Sequence, residues 1–307
     1  MDGVLVCDKP AGMTSHDVVA RVRRLAGQRR VGHGGTLDPA ATGVLVLALG
    51  RATRLLPFLP MEPKRYLARI AFGSETDTLD AGGTVTATAD AAGLDEAAVR
   101  AALARFLGPQ QQVPPMVSAV KLGGERLYAK ARRGESVERA ARPIVVHALE
   151  LLDFTAGERP QATVAVACSG GTYVRALAAD LGRALGTLAH LAGLRRTAVG
   201  RFGERDAHTL PELEALANGR PARPEAEAPA GGDTDGGLAR AVLDPAAAMA
   251  STPVRPLSAA EAAALAHGAT LPPTGHPEPV AALAPDGRLV AVIQDDAGRA
   301  RPRVVLA

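Results

Sequence analysis

The sequence predicts an α+β fold made of two folded parts and a linker. The chain has 307 residues, about twice the roughly 150 residues expected of one domain. Hydrophobic residues make up 47% and charged residues 22%, which is typical of a globular protein and excludes wholesale disorder. Apolar runs of strand type and helix type alternate irregularly, which favours α+β over a doubly wound sheet.

The N-terminal part opens with strand and helix signals. Gly3–Cys7 is an apolar run that predicts a buried strand. Ser15 is predicted to be the N-cap of a helix that ends near Gly27, because apolar residues then recur at helical spacing. Residues 31–43 are rich in Gly and predict a loop, and a strand-like run begins at Val44. Further strands are predicted at Arg65–Phe72, Thr84–Ala89, Ile144–Phe154 and Ala162–Cys168, and further helices at Asp95–Leu107 and Tyr173–Leu185.

The C-terminal part is predicted to be a small, mostly β unit. Residues 218–237 are rich in Pro, Gly, Ala and acidic residues without an apolar period, which predicts a flexible linker. After it, Ser258 is predicted to cap a short helix, and Asp286-Gly287 to form the turn between two strands. The sequence therefore predicts a larger first domain at residues 1–217, a linker at 218–237 and a second domain at 238–307.

Cysteine usage and charge narrow the class of protein. Cys7 and Cys168 each stand alone in an apolar run, which excludes a CxxC zinc or redox motif and predicts a cytoplasmic protein. The start, MDGVLVCDKP, carries an acid and a Lys, and no apolar run approaches the ~18 residues of a membrane span, so the protein is expected to be neither exported nor membrane-spanning. Residues 1–210 hold 27 Lys/Arg and 20 Asp/Glu, a balance of +7, whereas residues 211–307 hold 8 and 12, a balance of −4. Arginines crowd residues 21–30, which fits contact with phosphates, although solvated arginine-rich faces are common.

The most informative stretch is Gly32–Gly43, which reads GHGGTLDPAATG. Its glycines permit positive φ angles and close backbone approach, and Pro39 stiffens the chain directly after Asp38. A carboxylate is thus presented from a constrained loop, the kind of segment that often carries function. An Asp before a Pro is also a frequent turn starter, so the loop alone leaves both interpretations open.

These residues resemble the central motif of the TruB family of tRNA pseudouridine synthases, GHxGxLDPxATG, whose Asp is essential. The C-terminal hairpin resembles the small PUA-like domain of bacterial members. The chain departs from the family pattern at Gly34, where many members have Thr, and in its long linker. Other blocks match the family in order over about the first 200 residues, and they read DKPAGMTSHDVV, GRATRLL, KRYLARIAFG, TDTLDAGG, VPPMVSAVKLGGERLYAKARRG and CSGGTYVRALAADLG.

The resemblance implies a pseudouridine synthase core with a mixed, mainly antiparallel sheet. It also implies an activity, the isomerisation of uridine 55 in the T-loop of tRNA, in which the C1′–N1 bond breaks, the uracil rotates and C5 joins C1′. Neither a cofactor nor a metal is expected, and the chain has no P-loop, HExxH or GxGxxG motif after a strand. The expected partner is the T arm of tRNA, with no membrane and no obligatory protein partner, and assistance of tRNA folding is a further implied activity.

The resemblance also implies which residues form the catalytic pair. Asp38 is expected to be the nucleophile, since a carboxylate can stabilise or capture oxocarbenium-like charge at an anomeric carbon. Direct attack on C1′ and an elimination through a glycal both stay open. Arg175 matches the family Arg that pairs with this Asp, and a neighbouring cation favours the ionised form of a buried carboxylate.

Four further residues are expected, by resemblance, to bind the substrate. His33 matches the His that enters the T-loop and fills the space left by the flipped nucleotide. Tyr66 matches the Tyr that stacks on the extruded uracil and acts as a base during proton removal. Tyr173 is expected to line the pocket, and Leu194 to pack against the flipped base. Base flipping costs a few kcal/mol, which such contacts partly offset.

Two other classes of function stay open at this point. The first is an RNA-binding or RNA-folding protein without catalysis, and the retention of Asp38, Tyr66 and Arg175 argues against it. The second is the catalytic subunit of a guide-RNA-dependent synthase of archaeal or eukaryotic type, whose usual Lys-rich tails are missing here. Lys9-Pro10 resembles a family KP motif and is expected to be only a strand end and a turn.

Overall fold

The computed structural model describes residues 1–118, 121–122, 125–126, 133, 135, 137–221 and 237–306. Most of the predicted linker, residues 222–236, lies outside the described residues. No helix of the described part of the chain is long and apolar enough to cross a membrane. The chain divides into two compact units: unit one comprises Met1–Pro39, Gly43–Met61 and Val199–Ala307, and unit two comprises Ala40–Thr42 and Glu62–Ala198. The domain limits proposed from the sequence stay a prediction.

The strands of the described residues, in chain order, are β1 (Gly3–Lys9), β2 (Val31–Gly34), β3 (Thr42–Leu49), β4 (Lys64–Phe72), β5 (Ser74–Thr76), β6 (Val85–Thr88), β7 (Gly108–Gln112), β8 (Lys121–Leu122), β9 (Glu125–Arg126), β10 (Arg142–Thr155), β11 (Gln161–Cys168), β12 (Ala189–Val199), β13 (Phe202–Gly203), β14 (His208–Thr209), β15 (Val242–Leu243), β16 (Val254–Pro256), β17 (Val280–Leu283), β18 (Leu289–Asp296) and β19 (Arg299–Val305).

The α-helices of the same residues are α1 (Ser15–Leu25), α2 (Glu96–Ala104), α3 (Val174–Ala184), α4 (Leu210–Ala217), α5 (Pro245–Ala248) and α6 (Ala259–Ala266), and short 3₁₀ helices lie at Gly50–Leu55, Glu204–Asp206 and Gly237–Ala241. The strands and helices predicted from periodicity are present, and their ends differ by a few residues because helix and strand ends depend on capping and pairing.

Capping residues explain where the helices begin. Ser258 caps α6 through a capping box with Glu261, which confirms the prediction. The prediction of Ser15 as the cap of α1 is wrong, because Thr14 is the N-cap. The Asp17 N–H donates to the Thr14 hydroxyl at 3.1 Å, and the Thr14 N–H donates to the Asp17 carboxylate at 2.8 Å. This box needs an acceptor three residues after the cap, and Asp17 stands at that distance from Thr14.

Unit one contains a sheet in which β1 pairs antiparallel with β3, from Gly3↔Leu49 to Lys9↔Gly43. The first four residues of the predicted loop at 31–43 instead form β2, which pairs antiparallel with β3 from Val31↔Leu49 to Gly34↔Val46. The loop prediction is wrong there because the free edge of β3 supplies hydrogen bonds that local sequence does not reveal. The loop proper is therefore confined to the residues between β2 and β3.

The C-terminal sheet, also in unit one, has the order β16-β17-β18-β19. β17 and β18 are antiparallel and joined at Asp286-Gly287, as predicted. Gly287 has a φ of 84°, a left-handed conformation that glycine adopts without steric cost. Leu265 of α6 is fully buried in the same core as Val290 and Ile293 of β18, so one helix covers one face of this sheet.

Unit two contains the strand order β12-β4-β11-β10-β7. β4 and β11 are antiparallel over their whole length, from Lys64↔Cys168 to Ala71↔Gln161. The helix α3 follows β11 after a short turn and carries a buried face. Antiparallel pairing predominates in both units, which confirms the expected mixed, mainly antiparallel α+β architecture.

Candidate active site

Asp38 stands on the loop between β2 and β3, and the backbone on its C-terminal side is held by a buried lysine. The Lys9 side chain is 0% exposed. Its Nζ donates to the carbonyl of Pro39 at 3.1 Å, and to the carbonyls of Pro10 at 2.8 Å and Met13 at 2.7 Å. The Gly12 N–H also donates to the Pro39 carbonyl, at 2.9 Å. The residue after the carboxylate is therefore fixed by two donors.

The N-terminal side of Asp38 is fixed by a hydroxyl. The Leu37 N–H donates to Ser15 Oγ at 2.9 Å, and Ser15 Oγ donates to the Leu37 carbonyl at 3.2 Å. Ser15 is 1% exposed, so water does not compete for these bonds. Asp38 itself is half-buried. With both flanking residues clamped, the backbone that carries the Asp38 carboxylate is held in one place.

Lys9 is a residue whose role the sequence did not reveal. An unpaired charge in the interior is very costly, and three carbonyl acceptors offset that cost. Lys9 was expected to be a strand end only, whereas it ties β1 and the following turn to the Asp38 loop. The KP motif was the available signal, although it does not tell where the lysine points.

His33 lies on β2 and packs against a second histidine. Its ring centroid is 5.3 Å from that of His16, with an interplanar angle of 84°, an edge-to-face arrangement. At the next residue, Gly34, the space for a side chain is filled, because an added Cβ would meet the terminal methyl of Met61. The glycine that departs from the family pattern is thus matched by a methionine that occupies the space of a side chain.

In unit two, Arg175 is a buried cation at the start of α3, with a side chain 4% exposed. It donates to the carbonyl of Thr78 at 3.0 Å and to that of Val117 at 2.8 Å. Its Nη1 also lies 3.7 Å from Oδ2 of Asp80. The other carboxylate oxygen of Asp80 accepts from the Thr78 hydroxyl at 2.7 Å and from the Gly82 N–H at 3.0 Å. Asp80, another residue that the sequence did not single out, orients the guanidinium.

Tyr173 is the N-cap of α3 and is held through its backbone. Its N–H donates to Gln112 Oε1 at 2.8 Å, and Gln112 Nε2 donates to its carbonyl at 3.1 Å. Gln112 is buried, so this double amide contact fixes where the helix begins. The position of Arg175, two residues later in the first turn, follows from it.

Tyr66 lies on β4 opposite Val166 of β11 and is 8% exposed. The guanidinium of Arg196, on the neighbouring strand β12, donates a hydrogen bond to its phenolic oxygen. Burial lowers the pKa of Arg196, and the contact with Tyr66 opposes that shift. Leu194, two residues earlier on β12, is half-buried.

The structure distributes the expected site residues over the two units. Unit one carries His33 and Asp38, and unit two carries Tyr66, Tyr173, Arg175 and Leu194. Burial raises the pKa of the Cys7 thiol to about 12 and that of the Cys168 thiol to about 11, so both stay protonated at neutral pH and neither is a nucleophile. Within the described ranges, no group of three or more His, Cys, Asp or Glu side chains is arranged to hold a metal ion. The polar groups that the expected site residues offer are a carboxylate, an imidazole, two phenols and a guanidinium.

Family models match nearly the whole chain. Residues 23–174 match "TruB family pseudouridylate synthase (N terminal domain)". Residues 175–248 match "tRNA pseudouridylate synthase B C-terminal domain", and residues 253–307 match "tRNA Pseudouridine synthase II, C terminal".

Close relatives share the full length of the chain. The protein named tRNA pseudouridine synthase B in Thermobifida fusca is 47% identical over 311 residues, covering 100% of this chain and 99% of the relative. The protein of the same name in Mycobacterium tuberculosis is 46% identical over 307 residues, covering 99% and 95%.

Solved structures share the fold. One is the "Structure of H/ACA RNP bound to a substrate RNA containing 2'-deoxyuridine", in which the matched chain gives a TM-score of 0.71 at 25% identity, covering 99% of this chain and 85% of that one. Another is the "Crystal structure of the archaeal box H/ACA sRNP Nop10-Cbf5 complex", with a TM-score of 0.71 at 26% identity, covering 99% and 86%.

Proposed function

Because the chain belongs to the TruB family of pseudouridylate synthases, we propose that it isomerises uridine 55 in the T-loop of tRNA to pseudouridine. The observation that supports this most is the clamped loop of Asp38, held on one side by Lys9 and on the other by Ser15. Such preorganisation is expected of a carboxylate that has to meet one carbon atom of a substrate. Relatives that align over the full length carry the name tRNA pseudouridine synthase B, which supports tRNA as the substrate.

Asp38 is the residue assigned to the reacting carbon. Cleavage of the C1′–N1 bond places oxocarbenium-like charge on C1′, and a carboxylate can stabilise that charge or form a bond to C1′. The uracil then rotates and C5 bonds to C1′. Arg175 suits the role of a fixed cation that keeps a carboxylate ionised, because its guanidinium is already oriented by Asp80 and two carbonyls.

The remaining assigned residues bind the nucleotide and its surroundings. Tyr66 stacks on the extruded uracil and serves as base, Tyr173 lines the pocket and Leu194 packs against the base. His33 occupies the space that the flipped nucleotide leaves in the T-loop. The partner is the T arm of tRNA, and the site of action is the cytoplasm.

The arginine-rich stretch at residues 21–30 is assigned to contact with tRNA phosphates. Its arginines differ in how far they are already engaged within the protein. Arg21 forms an ion pair with Glu214 at 2.5 Å, and Arg23 donates to the Val31 carbonyl at 2.9 Å. Arg24 and Arg29 are exposed and line one groove, so they carry more of the expected footprint than their neighbours.

The test is the substitution Asp38→Asn, which keeps the shape of the side chain and removes its charge. Pseudouridine formation in an unmodified tRNA transcript should fall by at least roughly 10⁴-fold, the scale seen when a nucleophile is removed. Binding should persist, since phosphate contacts do not depend on that carboxylate. Asp153→Asn, on an exposed position of β10, is the matched control and should leave the rate unchanged. Unaltered turnover in Asp38→Asn would disprove the assignment.

A second candidate function is that of a guide-RNA-dependent catalytic subunit. The likeness to chains in the two H/ACA structures favours it, although the identity is only 25% and 26%. The purified chain, given the T-arm stem-loop alone, distinguishes the two. Modification at uridine 55 without guide RNA or other proteins supports the stand-alone synthase, and binding without modification in all conditions supports a purely RNA-binding protein.

A further inference from the structure

Arg196 is the largest fully buried side chain among the described residues, with 1% of its surface exposed. A guanidinium removed from water is costly unless strong acceptors replace the hydration it gives up. One acceptor of the Arg196 guanidinium is the phenolic oxygen of Tyr66, on the adjacent strand β4. The buried arginine thus stands beside Tyr66, the tyrosine expected to act as a base. Because burying a guanidinium is costly, this contact is a candidate for a role in the function of Tyr66.

A further cation, Lys64, lies near this pair. Lys64 lies on β4, two residues before Tyr66, and both burial and the positive charge of Arg196 lower its pKa. Glu62, before the strand, and Cys168, on β11, act on Lys64. The Glu62 carboxylate also accepts from the Gly170 N–H at 2.8 Å.

The helix that follows β11 carries a second buried cation. On α3, Arg175 is directed to the carbonyls of Thr78 and Val117 and to Asp80. Arg196 contacts the phenol of Tyr66 directly.

We propose that Arg196 is a positioning residue that holds Tyr66 and prepares its phenolic oxygen, as the phenolate, to accept the C5 proton of the isomerised uracil. This rests on the proposed function. A guanidinium has donors only, so it binds a lone pair of the phenolic oxygen and leaves the O–H directed away from itself. The same positive charge favours the phenolate over the phenol. The first effect orients the phenolic oxygen and the second increases the fraction of it that can accept a proton, without any contact between Arg196 and the substrate.

The proton transfer balances within this site and solvent. Once C5 has bonded to C1′, C5 still carries its hydrogen and the ring holds a double bond between C6 and N1. The C5–H bond breaks, its electron pair forms the C5=C6 double bond, and the electron pair of C6=N1 returns to N1. The proton moves from C5 to the phenolate oxygen of Tyr66 and then to solvent, and N1 takes one proton from solvent. One proton leaves the uracil and one joins it, and no oxidant or reductant is needed.

The experiment is the pH dependence of single-turnover pseudouridine formation, measured on a T-arm stem-loop with Arg196→Met and Arg196→Lys. A free tyrosine titrates near pH 10, so removal of the neighbouring charge should move the rise of the rate to higher pH. Arg196→Met should be about 100-fold slower at neutral pH and regain most of that loss toward about pH 10, the scale of one general base. Arg196→Lys, which keeps a charge, should fall between it and the unaltered protein.

A merely structural role gives a different outcome. It would lower the rate by the same factor at every pH, and parallel pH profiles would overturn the proposal. Replacement of Tyr66 by 3,5-difluorotyrosine, whose phenol is more acidic, should move the rise to lower pH in the unaltered protein. It should also restore the neutral-pH rate of Arg196→Met. An unmoved profile in the fluorinated protein contradicts the role of Tyr66 as base even where Arg196→Met does not fold.

Failure of this inference and failure of the proposed function are distinguishable. If the unaltered chain forms no pseudouridine at uridine 55, the proposed function fails. If the unaltered chain is active and the Arg196 variants give profiles parallel to it, only the role of Arg196 fails. Thermal unfolding and filter binding on the same preparations show whether a variant is folded and binds RNA.

Discussion

The two units hold their expected site residues in different ways. In unit one the expected nucleophile, Asp38, stands on a loop whose backbone is held by a buried ammonium and a buried hydroxyl. In unit two the residues expected to bind the substrate stand on strands and a helix, beside buried guanidinium groups. Lys9 and Ser15 bind backbone atoms of the loop and turns. Arg196 contacts Tyr66, a side chain that is expected to bind the substrate. A loop has no ladder of hydrogen bonds, so it needs external donors to fix one atom. On a regular element the position is already fixed, and the added charge can alter the chemistry of a neighbour.

The comparison predicts its largest loss of turnover for a substitution of Arg175, the buried cation of α3. Arg175→Met leaves the carbonyls of Thr78 and Val117 without this donor and removes a fixed positive charge. We expect turnover to fall by roughly 10² to 10³, the loss typical of a preorganised electrostatic group. Arg183→Met, on the same helix but with 52% of its side chain exposed, is the control and should change turnover little. Equal losses in the two variants would show that helix charge in general, and not the buried cation, matters.

The clamp of unit one is tested by Lys9→Met. The variant removes the donor of three carbonyls, one of which belongs to Pro39 next to the candidate nucleophile. We expect a loss of about 1 to 3 kcal/mol in the free energy of unfolding and, through misplacement of Asp38, a fall of about 100-fold in kcat. Denaturant unfolding and single-turnover kinetics measure the two. A stable, fully active variant would mean that the loop holds its shape without the ammonium.

Two neighbouring hydroxyls give a finer test. Ser15→Ala removes both bonds to Leu37, and Thr14→Ala removes the cap of α1. Each should cost about 1 kcal/mol of stability. Only Ser15→Ala should reduce kcat, by about fivefold if it costs that energy in the transition state, because Thr14 caps the helix whereas Ser15 holds the loop. Matching kinetics in the two variants would contradict the assignment of Ser15 to the loop.

The smallest effect concerns the salt dependence of tRNA binding. Arg24→Ala with Arg29→Ala should reduce the slope of log affinity against log salt by about 0.7 to 0.9 for each phosphate that the two arginines neutralise. The control, Arg100→Ala on α2 in unit two, removes an exposed arginine that is paired with Glu96. It should leave the slope unchanged. Identical slopes in all the proteins would place the arginines near α1 on a solvated face.

Sequence reasoning was successful where the signal is local. The α6 cap at Ser258 depends on Glu261 three residues later, and the turn at Asp286-Gly287 depends on a glycine that accepts a positive φ. The prediction failed for β2, whose pairing with β3 is a tertiary event. It also failed for the cap of α1, although the spacing from Thr14 to Asp17 was a readable signal.

The candidate site divides in the same way. Asp38, Tyr66 and Arg175 follow from motifs in the sequence, because the residue types and their spacing resemble those of one family. Lys9, Asp80 and Arg196 were not identified as supporting residues. The partners of buried side chains stand far away along the chain: Lys9 meets a carbonyl 30 residues later, and Arg175 meets one 97 residues earlier.

The sequence by itself determined the family, the mainly antiparallel α+β class and the identity of the expected reactive groups. Tertiary structure alone decided which buried cation lies beside which of these groups: Lys9 beside the Asp38 loop and Arg196 beside Tyr66. It also decided that Ser15 holds the Leu37 backbone while its neighbour Thr14 caps the helix. The physical reason is that periodicity and capping depend on residues three or four positions apart. Contacts of a buried ammonium, guanidinium or hydroxyl depend on which strands and loops the fold brings together, and the energy of those contacts exists only once water has been excluded.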